Sequence, residues 1–133
     1  MNKFKKRIAK NIRKTPIDAL VLGNAFGRLD AVLDVFDTVF LYGSDDLTLR
    51  FRNLIYRTEL SSTFNLYNLT AIFIDLKHIG LFETLIPLLN NPQPDLFIEG
   101  NEVIPKTETK ILYREGYRAV AQLGDFHQWS KIV

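Results

Sequence analysis

The sequence predicts an α/β fold: a single three-layer domain with a mainly parallel sheet and helices on both faces. Three observations carry this. Apolar runs rich in β-branched and aromatic residues alternate with amphipathic stretches, the order that gives parallel strands joined by helices. The runs Ala19-Leu20-Val21-Leu22, Ala71-Ile72-Phe73-Ile74 and Leu96-Phe97-Ile98 are continuous, as expected of strands buried on both sides. These runs and Thr38–Tyr42 stop at a glycine or a carboxylate: Gly23, Gly43, Asp75 and Glu99-Gly100.

Composition agrees with a globular domain. The 133 residues suit one domain with a modest core, and 47% hydrophobic with 24% charged residues fits neither disorder nor a membrane chain. No apolar stretch approaches the ~18 residues that cross a bilayer. The basic start lacks the apolar h-region of a secretory signal. With no cysteine, disulfides, thiolate catalysis and zinc–thiolate sites are excluded, and a cytoplasmic protein is the expectation. The net charge of +2 hides an asymmetry. Residues 1–14 carry seven of the 17 Lys and Arg and no acid, so the remainder sets 10 bases against 15 acids, a net of −5. A global basic patch for nucleic acid is therefore not supported.

In order, residues 1–14 read as a short basic helix with Phe4, Ile8 and Ile12 on one face, ended by Thr15-Pro16. It has two readings: a surface segment that meets anionic lipid or an acidic partner, or a solvated helix laying three apolar residues on the domain. Division falls at 1–16 and 17–133. Ile17–Leu22 is the first strand. Gly23 lets the backbone turn without a Cβ, and Gly27 lets the next helix lie close to the strand or to a ligand. A tight turn with no ligand is the alternative. Arg28–Phe36 is the first helix and Thr38–Tyr42 the second strand, a βαβ unit with parallel strands.

Asp45 and Asp46 then fall beyond the carboxyl end of strand two. An acid there accepts hydrogen bonds from ribose hydroxyls in nucleotide-binding versions of this fold. Alternatively, Ser44 or Asp45 caps a helix over Leu47–Tyr56. That helix would show Arg50, Arg52 and Arg57 on a solvated or anion-binding face. Residues 58–69 read as a loop entering a short edge strand. Thr70–Leu76 is a strong strand ending in Asp75-Leu76-Lys77-His78, followed by a helix burying Leu81, Phe82, Leu85, Leu88 and Leu89, bent by Pro87. After the break at Asn91-Pro92-Gln93-Pro94-Asp95 come a strand over Leu96–Gly100, a helix over Thr107–Arg114 with Gly116 as its C′ residue, and a strand over Tyr117–Leu123. Asp125–Trp129 closes the chain with no further element. The order is that of one Rossmann-like domain, whose ligands bind at the carboxyl ends of the strands.

Three strand ends gather candidate site residues there: Gly23 to Gly27, Asp45/Asp46, and Asp75 to His78. His78 suits a general base or an anion ligand, or is structural or merely exposed. Asp75 and His78 lack the further ligands of a metal site. No nucleophile elbow surrounds any serine, no Walker lysine follows the glycine turn, and a nicotinamide fingerprint would need a third glycine.

Several segments resemble one family in the right order, over roughly residues 18–123. Gly23-Asn24-Ala25-Phe26-Gly27 is similar to the GANxG motif of the FkbM-type, class I S-adenosylmethionine-dependent methyltransferases. Ile74-Asp75-Leu76-Lys77-His78 through Leu85 resembles their IDVEG-E-VL segment. Pro94-Asp95-Leu96-Phe97-Ile98-Glu99 resembles their P-x-(apolar)₃-E strand, and Glu115-Gly116-Tyr117 their LGY turn. The resemblance implies S-adenosylmethionine as cofactor and methyl transfer to an oxygen of a sugar or small metabolite. It implies that Gly23, Asn24 and Gly27 face the methionine end, that Asp45 or Asp46 holds the ribose, and that Asp75 or His78 assists as base. Val21 stands where the family has an acid, and Lys77-His78 replaces its acid–glycine pair. These departures favour a second reading, a non-catalytic Rossmann-like interaction module docking through residues 1–14 on a membrane or protein partner. The retained glycines and Asp45/Asp46 favour the first.

Overall fold

A strand with no exposed residue, β1 (Asp18–Leu22), sits inside a seven-stranded sheet and sets the position of everything else. The computed structural model describes residues 18–23, 29–43, 48, 50–57, 69–75, 94–99, 106–123 and 126–131. After β1 come α1 (Leu29–Val35), β2 (Thr38–Tyr42), β3 (Leu54–Arg57), β4 (Leu69–Asp75), β5 (Asp95–Glu99), α2 (Lys106–Arg114), β6 (Tyr117–Leu123) and β7 (Phe126–Lys131).

Across the sheet the order is β3-β2-β1-β4-β5-β7-β6. The pairs β1–β2, β2–β3, β1–β4 and β4–β5 are parallel, whereas β7 lies antiparallel between β5 and β6. The sheet is thus mostly parallel and Rossmann-like, and the direction of strand succession reverses between β1 and β4.

Two apolar clusters follow from the two-residue period of a strand. Ala19 and Val21 join Val39, Leu41, Ala71, Phe73, Phe97 and Phe126, together with Leu29, Val32, Leu33 and Phe36 at α1. Leu20 and Leu22 join Ile72, Ile74, Leu96, Ile98, Tyr117 and Trp129, together with Leu112 of α2. In the first cluster Phe73 is the hub: its ring stacks on Phe97 at 4.6 Å and meets Phe36 and Phe126 edge-on.

Two expectations are corrected. Where a helix over Leu47–Tyr56 was expected, residues 52 and 53 form a turn and Leu54–Arg57 pairs with Val39–Tyr42 as β3. The apolar residues Leu49, Phe51, Leu54 and Ile55 suggest a packed helix, whereas Leu54 and Tyr56, two apart, line the half-buried face of an edge strand, and pairing decided between the two. Asn53 fixes the turn: its side-chain amide donates to the carbonyls of Leu33 (2.9 Å) and Phe36 (3.0 Å), and its own carbonyl accepts from Val39 N–H (2.8 Å). The second correction is β7, where the sequence showed no element. Gln128 and Ser130 interrupt its apolar pattern, yet both are buried, and the Ser130 hydroxyl donates to Asp95 at 2.7 Å.

Elsewhere the expected elements stand within a residue or two. Gly116 ends α2 with a left-handed φ of 91°, the C′ role expected of it. The basic helix over 1–14, the loop through residue 68 and the helix from Leu81 to Leu89 lie outside the described residues. Among the described residues no helix is long and apolar enough to cross a membrane.

Candidate functional site

Parallel pairing brings the carboxyl ends of β1, β2, β4 and β5 to one edge of the sheet, and the register orders them. Leu22 is paired with Tyr42 on one side and Ile74 on the other, and Asp75 with Glu99. One residue further, Gly43, Gly23, Asp75 and Glu99 therefore form a row running from β2 to β5. This row crosses the reversal between β1 and β4, the place where open α/β sheets bind ligands.

Each position has a local cause. Gly23 continues the β1–β2 ladder, its N–H donating to the Tyr42 carbonyl at 2.8 Å, and then leaves with φ of 72°. Gly43 leaves β2 with φ of 76°. A side chain at either position would be strained, so two neighbouring strands end without a Cβ over the edge. Gly23 is buried and Gly43 exposed. Next in the row beyond Gly23 stand two carboxylates, the buried Asp75 and the half-buried Glu99. Arg57 ends β3 opposite Tyr42 and brings a cation to the outer end of the same edge.

Of the sequence-expected site residues, Gly23 and Asp75 are thus brought together. Asn24, Gly27, Asp45, Asp46 and His78 lie outside the described residues. Gly43 and Glu99 join the row without having been singled out as site residues. The signal was present, since each ends an apolar run, but only the register shows that they share a row with Gly23 and Asp75. Val21 is fully buried in the α1 cluster, so a hydrocarbon fills the position two before the glycine. Arg50 and Arg52 are exposed, and Arg50 lies over the Tyr56 ring at 5.7 Å. No group of three metal-ligating side chains occurs among the described residues.

The opposite, amino edge is built for structure. There the Tyr117 hydroxyl donates to the Pro94 carbonyl at 2.8 Å, and Ser130 binds Asp95. Asp18 lies at the same edge, its carboxyl raised above the ordinary range by burial and then by the charge of Asp37. Among the described residues the amino edge is cross-braced by side-chain hydrogen bonds, and the carboxyl edge bears the two glycines and the register-paired Asp75 and Glu99.

No protein-family model matches the sequence, and no curated protein matches it. Solved structures do resemble the fold. A ribosomal protein L11 methylase from Lactobacillus delbrueckii subsp. bulgaricus aligns with TM-score 0.62 and 11% identity over 98% of this chain and 77% of its own. The N-methyltransferase NodS from Bradyrhizobium japonicum, in complex with S-adenosyl-L-homocysteine, aligns with TM-score 0.60 and 14% identity over 99% and 89%. A protein in the NADB-Rossmann superfamily from Streptococcus agalactiae aligns with TM-score 0.60 and 14% identity over 98% and 67%. At such identities the likeness is one of fold: this chain has the Rossmann-like α/β fold with a seven-stranded, mostly parallel sheet.

Proposed function

We propose that this chain is a small S-adenosylmethionine-dependent methyltransferase-like protein that transfers a methyl group to an oxygen of a sugar or small metabolite. The observation that carries the reading is the row Gly43–Gly23–Asp75 at the strand reversal, where two left-handed glycines present backbone without side chains beside a buried carboxylate. The fold likeness to a methylase and to NodS with its bound S-adenosyl-L-homocysteine supports it. The residues present fit the cofactor: a backbone floor free of side chains suits the methionine end, and Asp45 or Asp46, next along the chain from Gly43, suits the ribose hydroxyls. Within the same reading the domain is three-layered, with α1 in one apolar cluster and α2 in the other. The protein works in the cytoplasm on a small-molecule or glycan acceptor.

The cofactor, when bound, supplies an electrophilic methyl on sulfur. The chain's task is mainly alignment, which can lower a barrier by several kcal/mol on its own. Gly23, Asn24 and Gly27 would hold the donor end by backbone. Asp75, or His78 three residues on, would orient the acceptor hydroxyl and take up its proton.

A second reading, a non-catalytic Rossmann-like interaction module, is favoured by one observation: Val21 is sealed in the core where the resembled family has an acid. Isothermal titration of the full chain with S-adenosylmethionine and S-adenosylhomocysteine, with NAD and ATP as controls, separates the two. Saturable binding, weakened at least roughly tenfold in Gly23→Val and in the double variant Asp45→Ala/Asp46→Ala, is the outcome expected of the first reading. Neither heat nor thermal shift at millimolar ligand would leave the second.

A further inference from the structure

We infer, on the methyl-transfer reading above, that His127 is a proton-accepting residue on the β7 side of the site and that Glu108 positions it. Glu108 stands in the first turn of α2, and its Oε2 is buried with no hydrogen-bond donor. A carboxylate oxygen withdrawn from water and left unbonded is costly, so this place calls for a donor. His127 is half-buried on β7. Among the described residues no hydrogen bond or ion pair satisfies either group.

Strand period and helix rise bring the two together. His127 is directly opposite Ile98 in the antiparallel β5–β7 pair, so both side chains lie on one face of the sheet. Ile98 and Trp129, two residues beyond His127, belong to the apolar cluster that contains Leu112 of α2. Glu108 precedes Leu112 by four residues and shares its helix face, which is the face turned to the sheet. At its far end α2 is anchored: Gly116 turns it into β6 at the amino edge, and the Tyr113 ring meets Trp129 at 5.8 Å. From Tyr113 back to Glu108 is about 7.5 Å of helix rise. From Trp129 back to His127 is about 7 Å of strand. Both steps lead towards the carboxyl edge, so Glu108 arrives at the level of His127.

Exposure divides the roles. Glu108 Oε2, being buried, does not meet a substrate but can accept from the ring. The half-buried imidazole stands one residue from the Glu99–Phe126 pair at the carboxyl edge. A change of rotamer at Glu108 joins them: Nδ1–H donates to Oε2, which fixes the tautomer and leaves Nε2 unprotonated. The hydroxyl proton of the acceptor passes to Nε2, the electron pair stays on oxygen, and the carboxylate faces the imidazolium so formed. β7 lies two strands from β4, about 10 Å. His127 therefore serves an acceptor held over β5 and β7, apart from Asp75.

The chain has two histidines, His78 and His127, so nitrogen-15 NMR of the full chain reads the ring directly, with His78→Gln as the assignment. At pH 9, where imidazole is neutral, His127 is expected to carry its proton on Nδ1. Glu108→Ala is expected to lose that form and return to the Nε2–H form that free imidazole favours. Glu108→Gln keeps an acceptor oxygen and is expected to retain it, and thermal unfolding shows that each variant is folded. Diethyl pyrocarbonate is expected to acylate His127 at Nε2. An Nε2–H ring in the wild-type chain, an Nδ1–H form indifferent to Glu108→Ala, or a His127 that resists the reagent would overturn the inference. The ring is read without cofactor, so a wild-type chain that binds no S-adenosylmethionine strikes the methyltransferase reading, and a failed ring result strikes the Glu108–His127 pair alone.

Discussion

Tyr117 shows how a single polar atom can be required in a core. Its ring is fully buried, and its hydroxyl ties the start of β6 to the Pro94 carbonyl ahead of β5. Burial first, and then the negative Asp95 and Glu115, push the phenol above its ordinary value, so it remains a donor at neutral pH. Tyr117→Phe leaves a buried carbonyl without its donor and is expected to cost about 1–2 kcal/mol. A lower urea midpoint at unchanged m-value is the check. Asp18 works in the other direction. Because its folded pKa is raised, protonation favours the folded state; the penalty is full above that pKa and fades as pH falls towards the ordinary value of 3.8. Asp18→Asn should therefore raise stability at pH 7 by a few tenths of a kcal/mol, about the size of a like-charge contact, with the gain vanishing near pH 4. An equal gain at both pH values would contradict the assignment.

At the scale of elements, β3 and β7 show what pattern reading misses. β3 is short and half-buried, and its helical-looking spacing is resolved only by the hydrogen bonds of β2 and the Asn53 turn. Asn53→Ala removes the side-chain hydrogen bonds to the Leu33 and Phe36 carbonyls at the end of α1 and is expected to cost about 1–2 kcal/mol. Faster hydrogen exchange confined to residues 38–41 and 54–57 would confirm that the turn locks the outer edge. β7 was hidden because Gln128 and Ser130 look like surface residues. Strand pairing places both inside, and Ser130 is satisfied there because Asp95 accepts from its hydroxyl. The long central strands β1, β4 and β5 were legible because burial on both faces leaves an uninterrupted apolar run.

For the whole molecule, stability is concentrated where the sheet reverses direction. Phe73 touches Phe36, Phe97 and Phe126, so it links α1, β4, β5 and β7. Phe73→Ala is expected to cost about 3–5 kcal/mol, a large share of the about 5–15 kcal/mol typical of a domain. Calorimetry should show either a Tm lower by more than 10 °C, roughly as the size scaling gives, or no cooperative transition. The same reversal carries the candidate site, so core and candidate site share their supports. Loss of cofactor binding in a destabilised variant must therefore be read at a temperature where the variant is folded.

The sequence by itself determined the α/β class, the central strands, the glycine turn after β1 and the carboxylate at the end of β4, because these are local: an apolar run, a missing Cβ, a charge at a strand end. Tertiary structure alone decided that Gly23, Gly43, Asp75 and Glu99 stand in one row, that Leu54–Arg57 is a strand, and that β7 slips antiparallel between β5 and β6. Register and order of the parallel strands depend on hydrogen bonds between strands whose paired residues lie 15 to 52 apart in the chain, and no local pattern encodes which neighbour a strand will take.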